Sequence, residues 1–189
     1  MQAGERQRKV RSDKNRVIKP TVAVELKDSI YRLSFITTTA VKDVCELLVM
    51  NAFDNEAIIA GLSNYFQRDV HIGNTLFVGS LKNEKIARTI VGETERISFR
   101  VKQDLYEKLY ALSYALNCSV SRVASVLLYE SMTDADFIEQ YTTRYIESLD
   151  QSRKKELQQL LCYIREETNE RYGFADLLSL LVDEPIRWV

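Results

Sequence analysis

Hydrophobic and polar residues alternate along Glu95–Val101. The apolar positions are Ile97, Phe99 and Val101, and the polar positions between them are Arg96, Ser98 and Arg100. Alternation with a period of two is typical of a β-strand that buries one face and exposes the other. The pattern therefore predicts a half-buried strand whose exposed face carries two arginines.

Directly after this strand the hydrophobic spacing changes to that of amphipathic helices. One apolar stripe consists of Leu105, Leu109, Leu112 and Leu116, and the next consists of Val120, Val123, Ala124 and Leu127. The segment Asn117–Ser119 separates the two stripes, and Ser119 is a suitable N-cap for the second helix. A strand, a helix, a short turn and a second helix are therefore predicted.

A weaker copy of this pattern lies earlier in the chain, after Pro20. Val22, Val24 and Leu26 alternate with Thr21, Ala23 and Glu25. Leu26–Tyr31 matches Val101–Tyr106 at a shift of seventy-five residues, whereas Ala40–Val49 matches Ser119–Leu128 at a shift of seventy-nine. The difference of about four residues is about one helical turn, so the first helix of the early copy is predicted to be one turn shorter.

One such unit leaves a strand edge and an apolar helix face uncovered, so it needs a twin. The pattern, carried by Arg96–Met132 and more weakly by Thr21–Phe53, resembles the ribbon-helix-helix superfamily of MetJ/Arc-type DNA-binding proteins. The resemblance implies a mainly α fold with a two-stranded antiparallel β-ribbon. The chain would be a tandem ribbon-helix-helix pseudo-dimer plus C-terminal helices. Strand exchange between two chains would give the same ribbon, and both arrangements stay open.

The resemblance also implies which side chains read DNA bases. Family members insert the ribbon into the major groove, about 12 Å wide, where outward strand residues contact base edges. The residues at matching positions are Arg96, Ser98 and Arg100 in one copy, and Thr21, Ala23 and Glu25 in the other. Glu25 can accept from a cytosine amino group or pair with Arg100 across the ribbon. Because the two faces differ, an asymmetric target is expected. The alternative is a strand edge that charge protects from aggregation.

Phosphate contacts are expected beside the ribbon and at the start of each second helix, where family members use backbone N–H groups. The helix starts concerned are Ala40–Lys42 and Ser119–Ser121, which plain helix capping would explain equally well. The side chains expected to contact phosphate are Lys27, Lys42, Lys102, Ser119, Ser121, Arg122, Arg8, Lys9, Arg11 and Arg16.

The distribution of charge adds an N-terminal arm to this expectation. The whole chain of 189 residues carries a formal net charge of −1, yet residues 1–19 hold seven basic and two acidic side chains. A basic arm on an acidic body can replace counterions along a phosphate backbone. A solubilising tail would have the same composition.

The chain divides into five predicted segments. They are a basic arm at 1–19, a first unit at 20–53, a linker at 54–94, a second unit at 95–132 and a helical extension at 133–189. The linker is expected to begin helically and to contain a strand at Thr75–Val78. The extension shows three apolar stripes: Tyr141, Tyr145 and Leu149; Leu157, Leu160, Leu161 and Ile164; and Phe174, Leu177, Leu178 and Leu181. These helices are expected to pack on the core, with self-association or docking of a protein partner as the alternative.

The sequence contains few features that indicate an enzyme, a metal site or a cofactor site. There is no glycine-rich phosphate loop or nucleophile elbow, and His71 has no cysteine or histidine at ligand spacing, so neither an enzyme nor a metal or cofactor is expected. Cys45, Cys118 and Cys162 read as buried thiols. No run is long enough to cross a membrane, so a cytoplasmic protein is expected, and the resemblance to DNA-binding proteins implies that it is nucleoid-associated.

The leading hypothesis is a sequence-specific double-stranded DNA-binding protein. Roles implied by the resemblance are transcriptional regulation such as repression, plasmid or mobile-element maintenance, and accessory work in DNA transfer. The alternative is an antitoxin-like interaction module that holds a protein partner through its C-terminal helices.

Overall fold

The fold is mainly helical, with short antiparallel pairs of strands. A computed structural model describes residues 15–86, 90 and 92–168. Its strands are β1 (Arg16–Ile18), β2 (Thr21–Ala23), β3 (Val70–Ile72), β4 (Thr75–Phe77), β5 (Thr94–Arg96) and β6 (Phe99–Val101). Its helices are α1 (Val24–Thr37), α2 (Val41–Asp54), α3 (Glu56–Ser63), α4 (Gln103–Ala115), α5 (Val120–Met132), α6 (Ala135–Thr143) and α7 (Gln151–Thr168), with a 3₁₀ turn at Ile146–Ser148.

Strands β1 and β2 pair with β6 and β5 to form one continuous antiparallel ribbon. Arg16 lies opposite Val101, and Thr21 lies opposite Arg96, so the register does not slip between the two pairs of strands. In the middle, the Ile97 N–H donates to the carbonyl oxygen of Pro20 at 3.1 Å. The face turned toward the helices is apolar and buried, with Ile18, Pro20, Val22, Ile97, Phe99 and Val101. We call this paired segment the ribbon.

The predicted first strand was displaced toward the C-terminus. The strand occupies the stretch from Arg16 to Ala23, and Val24 begins α1. The alternation of Val22, Val24 and Leu26 misled because Leu26 belongs to a helical stripe with Ile30 and Leu33, all of which are buried. The preceding residues were assigned to the arm because they are basic and end in proline, which is uncommon within strands. Residues 16–19 are therefore part of the ribbon.

The two strand–helix–helix segments share one spacing throughout. Helix α4 begins 79 residues after α1, as α5 does after α2 and α6 after α3. Asn55 and Asp134, which are hydrogen-bonded to each other, are also 79 residues apart. Left-handed residues end both leading helices at the same spacing, with Thr38 at φ 54° and Asn117 at φ 50°. The predicted loss of one helical turn was therefore wrong, since α1 has 14 residues and α4 has 13.

The core lies beneath the ribbon, where α2 packs against α5. At the ends of these helices, Asn55 and Asp134 cap α3 and α6, and the Asn55 side-chain amide donates to Asp134 Oδ2 at 2.8 Å. Cys45 is buried here as predicted, and burial raises its thiol pKa to about 12, whereas Cys118 and Cys162 are only partly buried.

The C-terminal helices pack on this core. Leu157, Leu160, Leu161 and Ile164 of α7 are buried, and α7 lies against α1 with Arg32 Nε 3.1 Å from Glu156 Oε2. The predicted stripe at Phe174–Leu181 lies outside the described residues. The linker forms α3 and a β3–β4 hairpin, which confirms its helical start and the strand near Thr75. Within the described ranges, no single helix has the length and apolar character needed to cross a membrane.

Candidate nucleic-acid interface

The outward face of the ribbon carries the arginines that the sequence singled out. Arg96, Ser98 and Arg100 are all exposed, on the face opposite the buried Ile97 and Phe99. Thr21 is exposed directly across from Arg96. These four positions of the predicted reading face therefore lie together, on one surface.

Two outward residues were missed because they were assigned to the arm. Val17 pairs with Arg100 and is 51% exposed, and Lys19 is exposed at the centre of the same face. The outward face thus consists of Val17, Lys19 and Thr21 on one strand and Arg96, Ser98 and Arg100 on the other. The sequence signal for the first three residues is their alternation with Ile18, Pro20 and Val22.

Ala23 and Glu25 do not join this face. Ala23 ends β2 opposite Thr94 and is partly buried, and Glu25 lies in the first turn of α1, not in a strand. A carboxylate in the first turn interacts favourably with the helix dipole. Glu25 therefore stabilises the start of α1 and does not belong to the outward face of the ribbon. The expected pairing of Glu25 with Arg100 is absent from the ion pairs of the described residues.

In the described part of the chain, three cationic side chains on the outward face form neither a hydrogen bond nor an ion pair. Among the described residues, no hydrogen bond or ion pair engages the side chains of Lys19, Arg96 or Arg100. Arg96 and Arg100 stand four positions apart on one strand, which is about 13 Å along the ribbon. Counted over residues 15–86, 90 and 92–168, the outward face therefore presents three unpaired positive charges and no negative charge.

The two ends of the ribbon differ in charge. At the Arg100 end, the Arg16 guanidinium donates from Nε to Gln103 Oε1 at 3.0 Å and lies 5.5 Å from the centre of the Tyr106 ring. At the Arg96 end, Lys27 is ion-paired with Glu95, and the hydrogen bond to Glu95 raises the lysine pKa. Lys27 is thus already neutralised, so it is a weaker candidate for phosphate contact than Arg16.

The start of α5 combines a capped helix end with cations. Ser119 Oγ accepts from the Arg122 N–H at 3.2 Å, and burial lowers the pKa of the Arg122 guanidinium. Arg68, from the linker, donates to the Tyr114 carbonyl at 3.0 Å and to Asn117 Oδ1 at 3.2 Å, and its guanidinium lies 4.6 Å from the Tyr114 ring centre. Ser121 is partly buried in the first turn. The sequence did not indicate Arg68, because only the fold brings the linker to this helix end.

The start of α2 is less basic. Ala40 is its N-cap and provides no side-chain hydrogen bond, while Lys42 is exposed but lies 3.1 Å from Asp43 Oδ1. Lys102 is exposed as the N-cap of α4 beside the ribbon. Arg8, Lys9 and Arg11 lie outside the described residues.

The geometry thus places Lys19, Arg96 and Arg100 on one ribbon face, with Arg16 and Lys102 beside its Arg100 end. The α5 start lies toward the other end, where Ser125 Oγ donates to the Thr21 carbonyl at 2.8 Å, and Ala23, Glu25 and Lys27 stand outside the outward face. A scan against protein-family models, a search of curated proteins and a search of solved structures each found no match for this chain.

Proposed function

We propose that this protein binds double-stranded DNA as a single-chain double ribbon-helix-helix, with the ribbon in the major groove. The observation that carries the proposal is the outward face of the ribbon, where Lys19, Arg96 and Arg100 are exposed and have no partner in the described part of the chain. A two-stranded ribbon fits the width of the major groove, and arginine donates two hydrogen bonds to guanine O6 and N7.

The pairing within one chain supports this arrangement. Both strands of the ribbon and all four helices beneath it come from segments at the same 79-residue spacing. Lys19 and Ser98 are equivalent residues under that spacing, and the register places them opposite each other, so an internal two-fold axis would pass through the centre of the ribbon. The chain supplies by itself what a symmetric dimer supplies with two copies.

The target should be asymmetric. Arg96 and Arg100 correspond to Val17 and Thr21 on the other strand, so only one strand offers arginine forks. Their separation of about 13 Å spans about four base pairs at 3.4 Å each. Val17 and Thr21 can contact thymine methyl groups, which is a different chemistry from guanine recognition.

Phosphate contacts would flank the ribbon and raise its affinity. Arg16 and Lys102 would supply cations at the Arg100 end, while the α5 start, which lies toward Ala23 with Arg68 beside it, would supply a cation and backbone N–H groups at the other end. Regulation of transcription or maintenance and transfer of a mobile element are the roles that the resemblance implies. The alternative of a partner-binding module has less support, because the apolar stripe of α7 is buried against α1.

The test compares DNA affinity with and without the ribbon arginines across a salt series. With about six phosphate contacts, log affinity of the wild type should fall with log salt at a slope near −5. Arg96→Ala with Arg100→Ala should remove sequence preference and weaken binding at least about tenfold. The matched control, Arg144→Ala with Lys155→Ala, removes one exposed cation at the end of α6 and one in α7. This variant should retain the sequence preference of the wild type. A flat salt response, or equal losses in both variants, would contradict the proposal.

A further inference from the structure

The β3–β4 hairpin of the linker exposes an apolar strip. Leu76, Val78 and Leu81 are 51%, 73% and 79% exposed, and the last two are the most exposed large hydrophobic side chains of the described residues. Single exposed apolar residues need no explanation, but three within six positions form an apolar patch of the kind found at interaction surfaces.

The hairpin is anchored, so the strip is not a collapsed loop. Asp69 Oδ1 accepts from the Gly79 N–H at 2.8 Å, and the Ser80 N–H donates to the Phe66 carbonyl at 2.9 Å. Gly79 passes so close to Arg68 that a Cβ would lie 2.4 Å from its backbone. The buried Gln67 donates from Nε2 to the Asn83 carbonyl at 2.9 Å. These contacts hold the apolar side chains outward.

Strand β4 has an open edge that carries no charge. In the described part of the chain it pairs only with β3, on one side, and β3 packs against α4. The stretch Thr75–Leu81 contains no lysine, arginine, aspartate, glutamate or proline. Proteins normally protect exposed strand edges with such residues. The ribbon strands show the contrast, since they carry Arg16, Lys19, Glu95, Arg96 and Arg100.

The absence of charge fits one occupant best, a second copy of the same strand. At a two-fold axis identical residues face one another, so a charged strand would oppose its own charges. A neutral strand pairs with itself without that cost, and leucine and valine side chains cover their symmetry mates. We infer that two copies of this chain associate through antiparallel pairing of β4 with β4, forming a four-stranded sheet in which Leu76, with Val78 and Leu81 just beyond β4, lies beside its symmetry mates.

The interface is small, and this sets its expected strength. One short strand and three side chains per copy bury less than the roughly 1,000 Å² of a stable complex, which is typical of transient association. We expect a Kd on the order of 100 μM for the free protein. Two chains on neighbouring DNA sites would dimerise more readily, because the DNA raises their effective concentration.

The test is sedimentation velocity of the full chain without DNA, from about 10 to 500 μM. The wild type should shift from monomer toward dimer across this range. Val78→Lys should stay monomeric, because it places like charges face to face at an exposed site that does not affect the core. Tyr110→Lys, at a 61% exposed position of α4, is the matched control and should dimerise like the wild type.

Each other result has a defined meaning. A wild type that stays monomeric throughout, as it would if residues 169–189 or a different protein covered the strip, overturns the inference. Equal dimerisation of Val78→Lys also overturns it. Arg96→Ala with Arg100→Ala should dimerise normally, so failure of the DNA-binding proposal and failure of this inference are read from different variants.

Discussion

The two strands of the ribbon agree on one face and differ on the other. Toward the core, Ile18 and Val22 match Ile97 and Val101 at the 79-residue spacing, and all four are buried. On the outward face, Val17, Lys19 and Thr21 match Arg96, Ser98 and Arg100. Packing restrains the inward positions to apolar residues, whereas solvent leaves the outward positions free. The difference places the chemistry of the ribbon on the outward face.

The ends of the ribbon differ in the same way. Arg16 and Glu95 are equivalent residues, and so are Tyr106 and Lys27. One end therefore pairs a cation with an aromatic ring and keeps its positive charge, while the other forms an ion pair with no net charge. A ribbon with unequal ends has a preferred direction on any target that attracts cations.

The largest effect is expected where the inward faces depart from each other. Phe99 is fully buried, whereas its equivalent on the other strand is Pro20. Phe99→Ala should lower the free energy of unfolding by about 3–5 kcal/mol, because it removes a large core side chain. Pro20→Ala should cost about 1 kcal/mol or less, mainly through entropy of the unfolded chain. Urea unfolding followed by circular dichroism measures both, and equal losses would contradict this ranking of the two strands.

A smaller effect is expected from the outward arginines taken singly. Each alanine substitution should cost about 1–3 kcal/mol of affinity for a preferred duplex. Arg100→Ala should cost more than Arg96→Ala, since Lys102 and Arg16 attract DNA toward the Arg100 end, whereas the Arg96 end has Glu93 beside the neutral Lys27–Glu95 pair. Fluorescence anisotropy at fixed salt gives the two affinities. The opposite order would show that the charge of the ends does not direct binding.

The smallest effect concerns pH and compares the second helices. Glu130 of α5 is equivalent to Asn51 of α2, and burial raises the pKa of the Glu130 carboxyl. A raised folded-state pKa means that ionised Glu130 destabilises the fold above the unfolded pKa of about 4.3. Glu130→Gln should therefore raise the free energy of unfolding at pH 7 by less than about 1 kcal/mol, since the group is partly exposed.

Thermal unfolding at two pH values checks this expectation. The gain in the free energy of unfolding should shrink as the pH falls through the folded-state pKa of Glu130. It should disappear below the unfolded-state pKa, where the Glu130 carboxyl is neutral in both the folded and the unfolded chain. Glu107→Gln, at an exposed position of α4, is the control and should change little at either pH. A gain that persists at low pH would show that packing, not ionisation, separates the variants.

The sequence predicts the second unit well and the first unit poorly, for a physical reason. In Glu95–Met132 the apolar pattern changes from strand to helix at one place, and the structure follows it. In the first unit, Val22 and Leu26 fit a strand and a helix equally, and a proline interrupts the true strand. Local pattern could not choose between them. The register of the ribbon decides, because Thr21 must face Arg96 when all core residues point inward.

The candidate interface was predictable to the extent that it follows the alternation of apolar and polar residues along the ribbon. Arg96, Ser98, Arg100 and Thr21 share one face as expected, while Val17 and Lys19 follow from the corrected strand. Arg68 could not be found from spacing, since the linker meets Asn117 only through the tertiary fold. The β4 strip was equally hidden, because Leu76–Val78 form a short apolar run like that of a fully buried strand, and only their exposure in the fold distinguishes them.

Base reading by the outward face of the ribbon is tested most directly by selecting duplexes that bind the purified full chain from a random pool. The selection is made at about physiological salt, and the retained DNA is sequenced. We expect enrichment of one short, asymmetric motif containing guanines about four base pairs apart, because Arg96 and Arg100 lie about 13 Å apart on one strand. Enrichment of a short palindrome within the footprint of a single ribbon, or retention of DNA without any preferred sequence, would contradict base reading by one ribbon whose two strands differ.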